Sequence, residues 1–144
     1  MKELRTEIEI NANAEDVWKV LTDFASYPEW NPFIRNAEGQ LTEGASLKVR
    51  LEPPGGRAMT FKPRVIRLQQ AKELSWLGRL LLPGLFDGEH IFGIVQTAER
   101  RVLFQQRERF RGIFVPLLWR GLDTKTRRGF ELMNESLKRR AEQL

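Results

Sequence analysis

Residues 116–144 read PLLWRGLDTKTRRGFELMNESLKRRAEQL, and this stretch decides the fold. Pro116 suits the first turn of a helix, where its missing N–H has no partner to lose. Behind it Leu118, Leu122, Thr126, Phe130, Met133, Leu137, Ala141 and Leu144 step by fours and threes, the spacing of one helix face. Lys125, Arg127, Arg128, Glu131, Arg139 and Glu142 lie mostly off that stripe. The pattern predicts one amphipathic helix of about 27 residues, roughly 40 Å long at 1.5 Å per residue. So long an apolar stripe needs a surface to cover.

The rest of the chain supplies that surface. Residues 3–10 alternate strictly, with Leu4, Thr6, Ile8 and Ile10 on one face and Glu3, Arg5, Glu7 and Glu9 on the other, which predicts a strand with one face buried. The period then becomes helical through Ala14, Val17, Trp18, Leu21 and Phe24, with Asn13 placed to cap. Ser26 and Glu29 have capping-box spacing and start a second short helix, which Asn31-Pro32 ends. From there to about Gly112 the signals are strands and turns: Ile34–Leu41, Ser46–Glu52, a longer Met59–Gln70 bulged near Val65-Ile66, Glu73–Gly78, Glu89–Gln96 and Arg101–Gly112. The order is strand, two short helices, about six strands, long helix. Helices grouped at the ends of an antiparallel meander indicate α+β, with about seven strands in a curved sheet wrapped around the last helix.

Composition narrows the function classes. The 144 residues fit one domain, residues 1–144, without an internal repeat or linker. With no cysteine and one histidine, neither a disulfide framework nor a zinc site is expected. No phosphate-binding glycine loop, nucleophile elbow or histidine-plus-carboxylate metal spacing is present, so no metal and no cofactor is expected. Met1–Arg5 lacks the apolar run of a signal peptide, and the longest apolar stretches are about seven residues, far short of a membrane span. A cytoplasmic protein, monomeric or weakly dimeric, is the expectation. The net charge of +5 permits an anionic partner without requiring one.

Several stretches resemble the START-like, helix-grip superfamily, also called SRPBCC, and within it the polyketide cyclase/dehydrase-like branch. These are the opening strand with Asn13-Ala14-Glu15-Asp16-Val17-Trp18, then Tyr27-Pro28-Glu29-Trp30-Asn31-Pro32-Phe33-Ile34, and Leu74-Ser75-Trp76. Glu89-His90-Ile91-Phe92, Glu108-Arg109-Phe110-Arg111-Gly112 and the last helix with Phe130, Asn134, Leu137 and Lys138 complete the set. The resemblance spans essentially the whole chain. It implies that the long helix lies across the concave face of the sheet, that the first and last strands are neighbours, and that a cavity remains between helix and sheet. It selects no single activity, since the superfamily includes lipid carriers, cyclases, quinone-binding proteins and chaperone activators.

The last strands carry the site candidates. Phe104, Gln106, Glu108 and Phe110 share one face, and Arg107, Arg109 and Arg111 the other. Pairing of that arginine row with Glu3, Glu7 and Glu9 on the first strand makes it a neutralised outer face, and no nucleic-acid partner is expected. Gln106 and Glu108 then point inward, and His90, Phe92 and Ile94 share the interior face of their own strand. Two readings stand: His90, Gln106 and Glu108 anchor a ligand in an apolar pocket, or they satisfy one another inside the barrel. Trp76, Phe92, Phe110, Gly129 and Met133 join them as candidate ligand-binding residues. Gly121 and Gly129 each cost about 1 kcal/mol in a helix interior, and they leave room either for a ligand or for a bulky side chain such as Trp76 or Phe110. Leu80–Phe86 and Ile113–Trp119 are apolar loops with no place in the core, which suits either a hydrophobic portal making transient membrane or protein contact or two loops packed on each other.

The leading expectation is a non-enzymatic binder or carrier of a small hydrophobic molecule such as a lipid, polyketide, isoprenoid or aromatic compound. The alternatives are a cyclase or dehydratase using His90 or Glu108 as acid or base, and a protein-interaction module such as a chaperone regulator or toxin-like ribosome binder.

Overall fold

The computed structural model describes residues 1–80 and 82–144. The strand β1 (Lys2–Ile10) leads into α1 (Ala14–Thr22), a 3-10 turn (Phe24–Ser26) and the short α2 (Tyr27–Trp30). Seven strands follow: β2 (Ile34–Glu38), β3 (Lys48–Leu51), β4 (Met59–Phe61), β5 (Arg64–Gln69), β6 (Glu73–Leu80), β7 (Phe86–Ala98) and β8 (Arg101–Arg111). The chain ends in α3 (Val115–Gly121), a π-helical turn (Leu122–Thr126) and α4 (Arg127–Glu142), which run on without a break.

Two antiparallel sheets form, one in the order β1-β8-β7-β6-β5 and one in the order β2-β3-β4. A bridge between Ser46 and Arg64 and the hydrogen bond from Leu47 N–H to the Pro63 carbonyl (2.8 Å) link them into one curved surface. The architecture is the α+β helix-grip arrangement, with eight described strands instead of about seven. The extra one arises because Met59–Gln70 is two strands. Pro63 has no N–H to donate to a ladder, so the run breaks into β4 and β5, each in a different sheet. The expected irregularity is present in β5, where the register shifts between Val65 and Arg67.

The two predicted side-chain caps do not form. Asn13 caps α1 through its backbone carbonyl, which accepts from the N–H groups of Asp16 and Val17 at 3.1 Å, while Gln96 takes the Ala14 N–H. Ser26 already has helical backbone angles inherited from the preceding 3-10 turn, so it is not in the extended conformation a capping box needs. Its hydroxyl donates to Asp23 instead.

The inner face of the sheet is covered by α4, which buries Phe130, Met133, Leu137 and Ala141 against β1, α1 and β8. As expected, β1 and β8 are neighbours, with Glu3 opposite Arg109. The charge pairing differs in detail. Glu3 serves both Arg107 and Arg109, Glu7 accepts from Gln105, and Glu9 pairs with Arg101. The register sets these partners, since Glu7 lies opposite Gln105 and Glu9 opposite Leu103.

The two apolar segments are not both loops outside the core as expected: Val115–Trp119 lies in α3, Val115 is buried in the core, and Phe86 and Trp119 pack partly against it, while the segments meet through their backbones. The N–H groups of Ile113 and Phe114 donate to the carbonyls of Gly84 (3.2 Å) and Leu85 (3.1 Å). Gly112 has φ +132°, and a Cβ there would strike the Leu85 carbonyl, so only glycine allows this approach. Leu82, Ile113 and Leu117 nonetheless stay mostly exposed. Leu81 lies outside the described residues. Among those described, no helix is long and apolar enough to cross a membrane.

Candidate functional site

A cavity of about 300 Å³ opens between the sheet and the start of the helical run. Its origin is legible strand by strand. The inner face of β6 carries Leu74, Trp76 and then Gly78, while that of β7 carries Phe92, His90 and then Gly88. Gly78 and Gly88 are direct cross-strand partners. Two large side chains on each strand are thus followed by two hydrogens, and the sheet surface falls away. Phe61 leans toward Gly78, within 2.9 Å of where a Cβ would stand. The far wall is helical: Leu118, Gly121, Leu122 and Thr126 come from α3 and the π turn, and a Cβ on Gly121 would meet nothing within 4 Å. Phe33, Leu51, Met59 and Phe86 close the sides.

Glu108 is the one titratable side chain among the described residues lining this space. Its carboxyl occupies the room a Gly88 Cβ would take. Burial raises its pKa from the ordinary carboxylate range to about 8, because the charged form loses hydration and gains no cation in return. The carboxyl is therefore mostly protonated at neutral pH.

Behind Glu108 a directed chain of hydrogen bonds runs into the core. The Thr6 hydroxyl donates to the Gln106 backbone carbonyl (2.8 Å) and accepts from Asn134 Nδ2 (2.9 Å). Asn134 Oδ1 then accepts from Gln106 Nε2 (2.7 Å), which also faces the Phe130 carbonyl (3.4 Å). Backbone carbonyls only accept, so both amides are oriented. Gln106 Oε1 is left to accept from His90 Nε2 at 2.9 Å. With its proton on Nε2, neutral His90 has a bare lone pair on Nδ1, which lies 3.7 Å from Glu108 Oε1. His90 packs on Phe92 (4.4 Å between ring centroids), Phe130 (4.9 Å) and Trp76 (5.5 Å). That apolar shell lowers its pKa to about 4, against the opposing effect of the Gln106 hydrogen bond.

The candidates named from the sequence thus divide. Glu108 and Phe110 line the cavity. His90 and Gln106 are buried and do not line it; His90 adjoins the lining residue Glu108, and Gln106 bonds to His90. Trp76, Phe92 and Met133 are buried in the aromatic core beyond them, away from the cavity wall. Gly129 is also away from it: a Cβ there would collide with the Phe33 ring, so this glycine serves close packing, against Phe33 and not against Trp76 or Phe110. Gly121 is the glycine that leaves space. Sequence reasoning missed Gly78, Gly88 and Phe61 as site residues, although the inner-face alternation places Gly78 two residues after Trp76 and Gly88 two before His90.

The sequence matches the family model for polyketide cyclase/dehydrase and lipid transport over residues 1–142. The chain belongs to this family. Solved structures share the fold of this family member at low identity. A START superfamily protein from Mycobacterium smegmatis is 21% identical, with a TM-score of 0.76 over 98% of this chain and 97% of that one. The Zhui aromatase/cyclase from Streptomyces sp. R1128 is 15% identical, with a TM-score of 0.79 over 99% and 94%. A Thalictrum norcoclaurine synthase is 17% identical, with a TM-score of 0.76 over 99% and 94%. No curated protein matches the sequence.

Proposed function

We propose that the protein binds a small hydrophobic molecule in the cavity beneath α3 and the π turn. The observation that carries this reading is the cross-strand glycine pair Gly78–Gly88, which keeps a space of about 300 Å³ open beside a densely packed core. That volume lies at the lower end of the roughly 300–1,000 Å³ usual for small-molecule sites. The wall is apolar apart from Glu108 and Thr126. Burying on the order of 200 Å² of ligand surface contributes about 5 kcal/mol before association costs, so apolar contact supplies affinity and the polar groups supply selection. Lipid, polyketide, isoprenoid and aromatic compounds of compact size all suit such a wall, as does the family's description. Leu118 and Phe86 of the wall belong to the same two chain segments as the exposed Leu82, Ile113 and Leu117, which makes this side our candidate for ligand entry.

Native mass spectrometry of the purified protein tests the reading. A hydrophobic adduct that dissociates on mild activation is the expected result. A ligand-free spectrum, together with no saturable uptake of added apolar aromatics, would overturn it.

A second reading has one specific observation in its favour. A carboxyl titrating near pH 8 in an apolar cavity is suited to move a proton at neutral pH, as a cyclase or dehydratase requires. Under that reading Glu108→Gln abolishes turnover while ligand binding persists. Under the carrier reading there is no turnover to lose.

A further inference from the structure

We propose that the cavity selects a neutral hydrophobic molecule carrying a hydroxyl group, held as a hydrogen-bond donor to the Glu108 carboxyl, and excludes carboxylate-bearing ligands. The inference deepens the cavity-binding reading and rests on it.

Every described member of the polar chain donates away from the cavity: His90 to Gln106, Gln106 to Asn134, Asn134 to Thr6, and Thr6 to the Gln106 carbonyl. The unsatisfied end of that chain is therefore an acceptor, the His90 Nδ1 lone pair. The nearest proton available to it is the one on the Glu108 carboxyl, whose Oε1 is 3.7 Å away. A modest closure makes that Glu108 O–H···Nδ1 bond. The other oxygen, Oε2, lies over Gly88 on the cavity side and keeps only lone pairs. What it lacks is a donor. A ligand hydroxyl supplies one and extends the chain by one member in the same direction.

No lysine or arginine is among the described residues lining the cavity. The arginines of β8 project to the outer face, with Arg107 and Arg109 paired to Glu3 there. Beside Glu108 β7 brings His90 and β1 brings Leu4 in register, and the helical wall of the same cavity brings Leu122 and Thr126, none of them cationic at neutral pH. The raised pKa of Glu108 is consistent with that setting. A ligand carboxylate would have to shed its hydration with no cation to meet it. An alcohol or phenol carries no such penalty.

Three naphthalenes of nearly equal apolar area separate the possibilities: 2-naphthol, 2-methoxynaphthalene and 2-naphthoate, titrated into the full chain at pH about 6.5, where the naphthoate is ionised and Glu108 is not. The expected result is that 2-naphthol binds at least about tenfold more tightly than 2-methoxynaphthalene, and that 2-naphthoate binds weakest. In Glu108→Leu the naphthol falls to the level of the methoxy compound, which itself changes by no more than about threefold. In Glu108→Gln, whose amide keeps an acceptor oxygen and can donate to His90, the preference is retained. Equal binding of naphthol and methoxynaphthalene by the native protein would overturn the inference and leave cavity binding standing. Binding of none of the three would overturn both. Should the leucine variant fail to fold, the comparison of the three compounds on the native protein decides the matter alone.

Discussion

The two halves of the inner face are built from the same strands, yet one is solid and the other hollow. Beneath α4, Trp76, His90, Phe92 and Phe130 interlock, and Gly129 lets the helix settle onto Phe33. Two residues along, beneath α3 and the π turn, β6 and β7 present Gly78 and Gly88, and the helix faces them with Gly121 and open space. Polar groups divide the same way. His90 Nε2, Gln106, Asn134 and Thr6 satisfy one another in the solid half, whereas Glu108 at the boundary keeps an oxygen turned to the cavity. A cavity in this fold is thus a local choice of side chains on a continuous sheet. The π turn lies over the hollow half, where the helix has least to pack against.

The contrast predicts unequal responses to truncation. Phe130→Ala, in the solid half, is expected to lower stability by about 3–5 kcal/mol in urea unfolding, because it leaves a void in a packed core. Leu118→Ala, on the hollow half and 46% exposed, is expected to lower it by less than about 1 kcal/mol while weakening ligand uptake. Similar losses at the two positions would remove the distinction between the halves.

The boundary residues give the contrast a pH signature. The folded state raises the Glu108 pKa from about 4.5 to about 8, so folded protein holds a proton that the unfolded chain releases, and stability falls as pH rises through that window. His90 acts oppositely: its folded pKa of about 4 lies below the usual 6.5, so stability is lost as pH falls from 6.5 toward 4. Between pH 4.5 and 6.5 the two slopes oppose each other, and from 6.5 to 8 Glu108 acts alone. Unfolding free energy should therefore drop by up to about 2 kcal/mol from pH 6.5 to 8. Denaturant melts across that range are expected to show the drop in the native protein and a flat line in Glu108→Gln.

The two helix glycines sharpen the contrast at smaller amplitude. Gly129→Ala is expected to destabilise by about 1–3 kcal/mol, since the methyl overlaps the Phe33 ring. Gly121→Ala is expected to stabilise by up to about 1 kcal/mol, because helix propensity improves where nothing obstructs the methyl. Thermal melts of the two variants should shift in opposite directions. Shifts of the same sign would mean that both glycines pack alike.

The solid half was the more legible in the sequence. Alternation in β7 and β8 and the helical stripe through Phe130, Met133 and Leu137 put the right side chains inside, because burial is periodic and periodicity survives in one dimension. The hollow half was less so. A glycine contributes no hydrophobic signal, so the pattern marks strand limits at Gly78 and Glu89, whereas the ladder continues to Leu80 and back to Phe86. Which glycine packs and which leaves space depends on Phe33, remote in sequence from both, and no local pattern reveals it. The caps at Asn13 and Ser26 failed for a related reason. Gln96 reached one helix start from another strand, and a 3-10 turn ran straight into the other.

Nuclear magnetic resonance mapping of a bound apolar probe tests the division most directly. On titration with 2-methoxynaphthalene, saturable shifts are expected at Phe61, Gly78, Gly88, Leu118 and Leu122, with Trp76 and Met133 little changed. Shifts centred on Trp76 and Met133, or on the outer face along Arg109 and Arg111, would contradict the account.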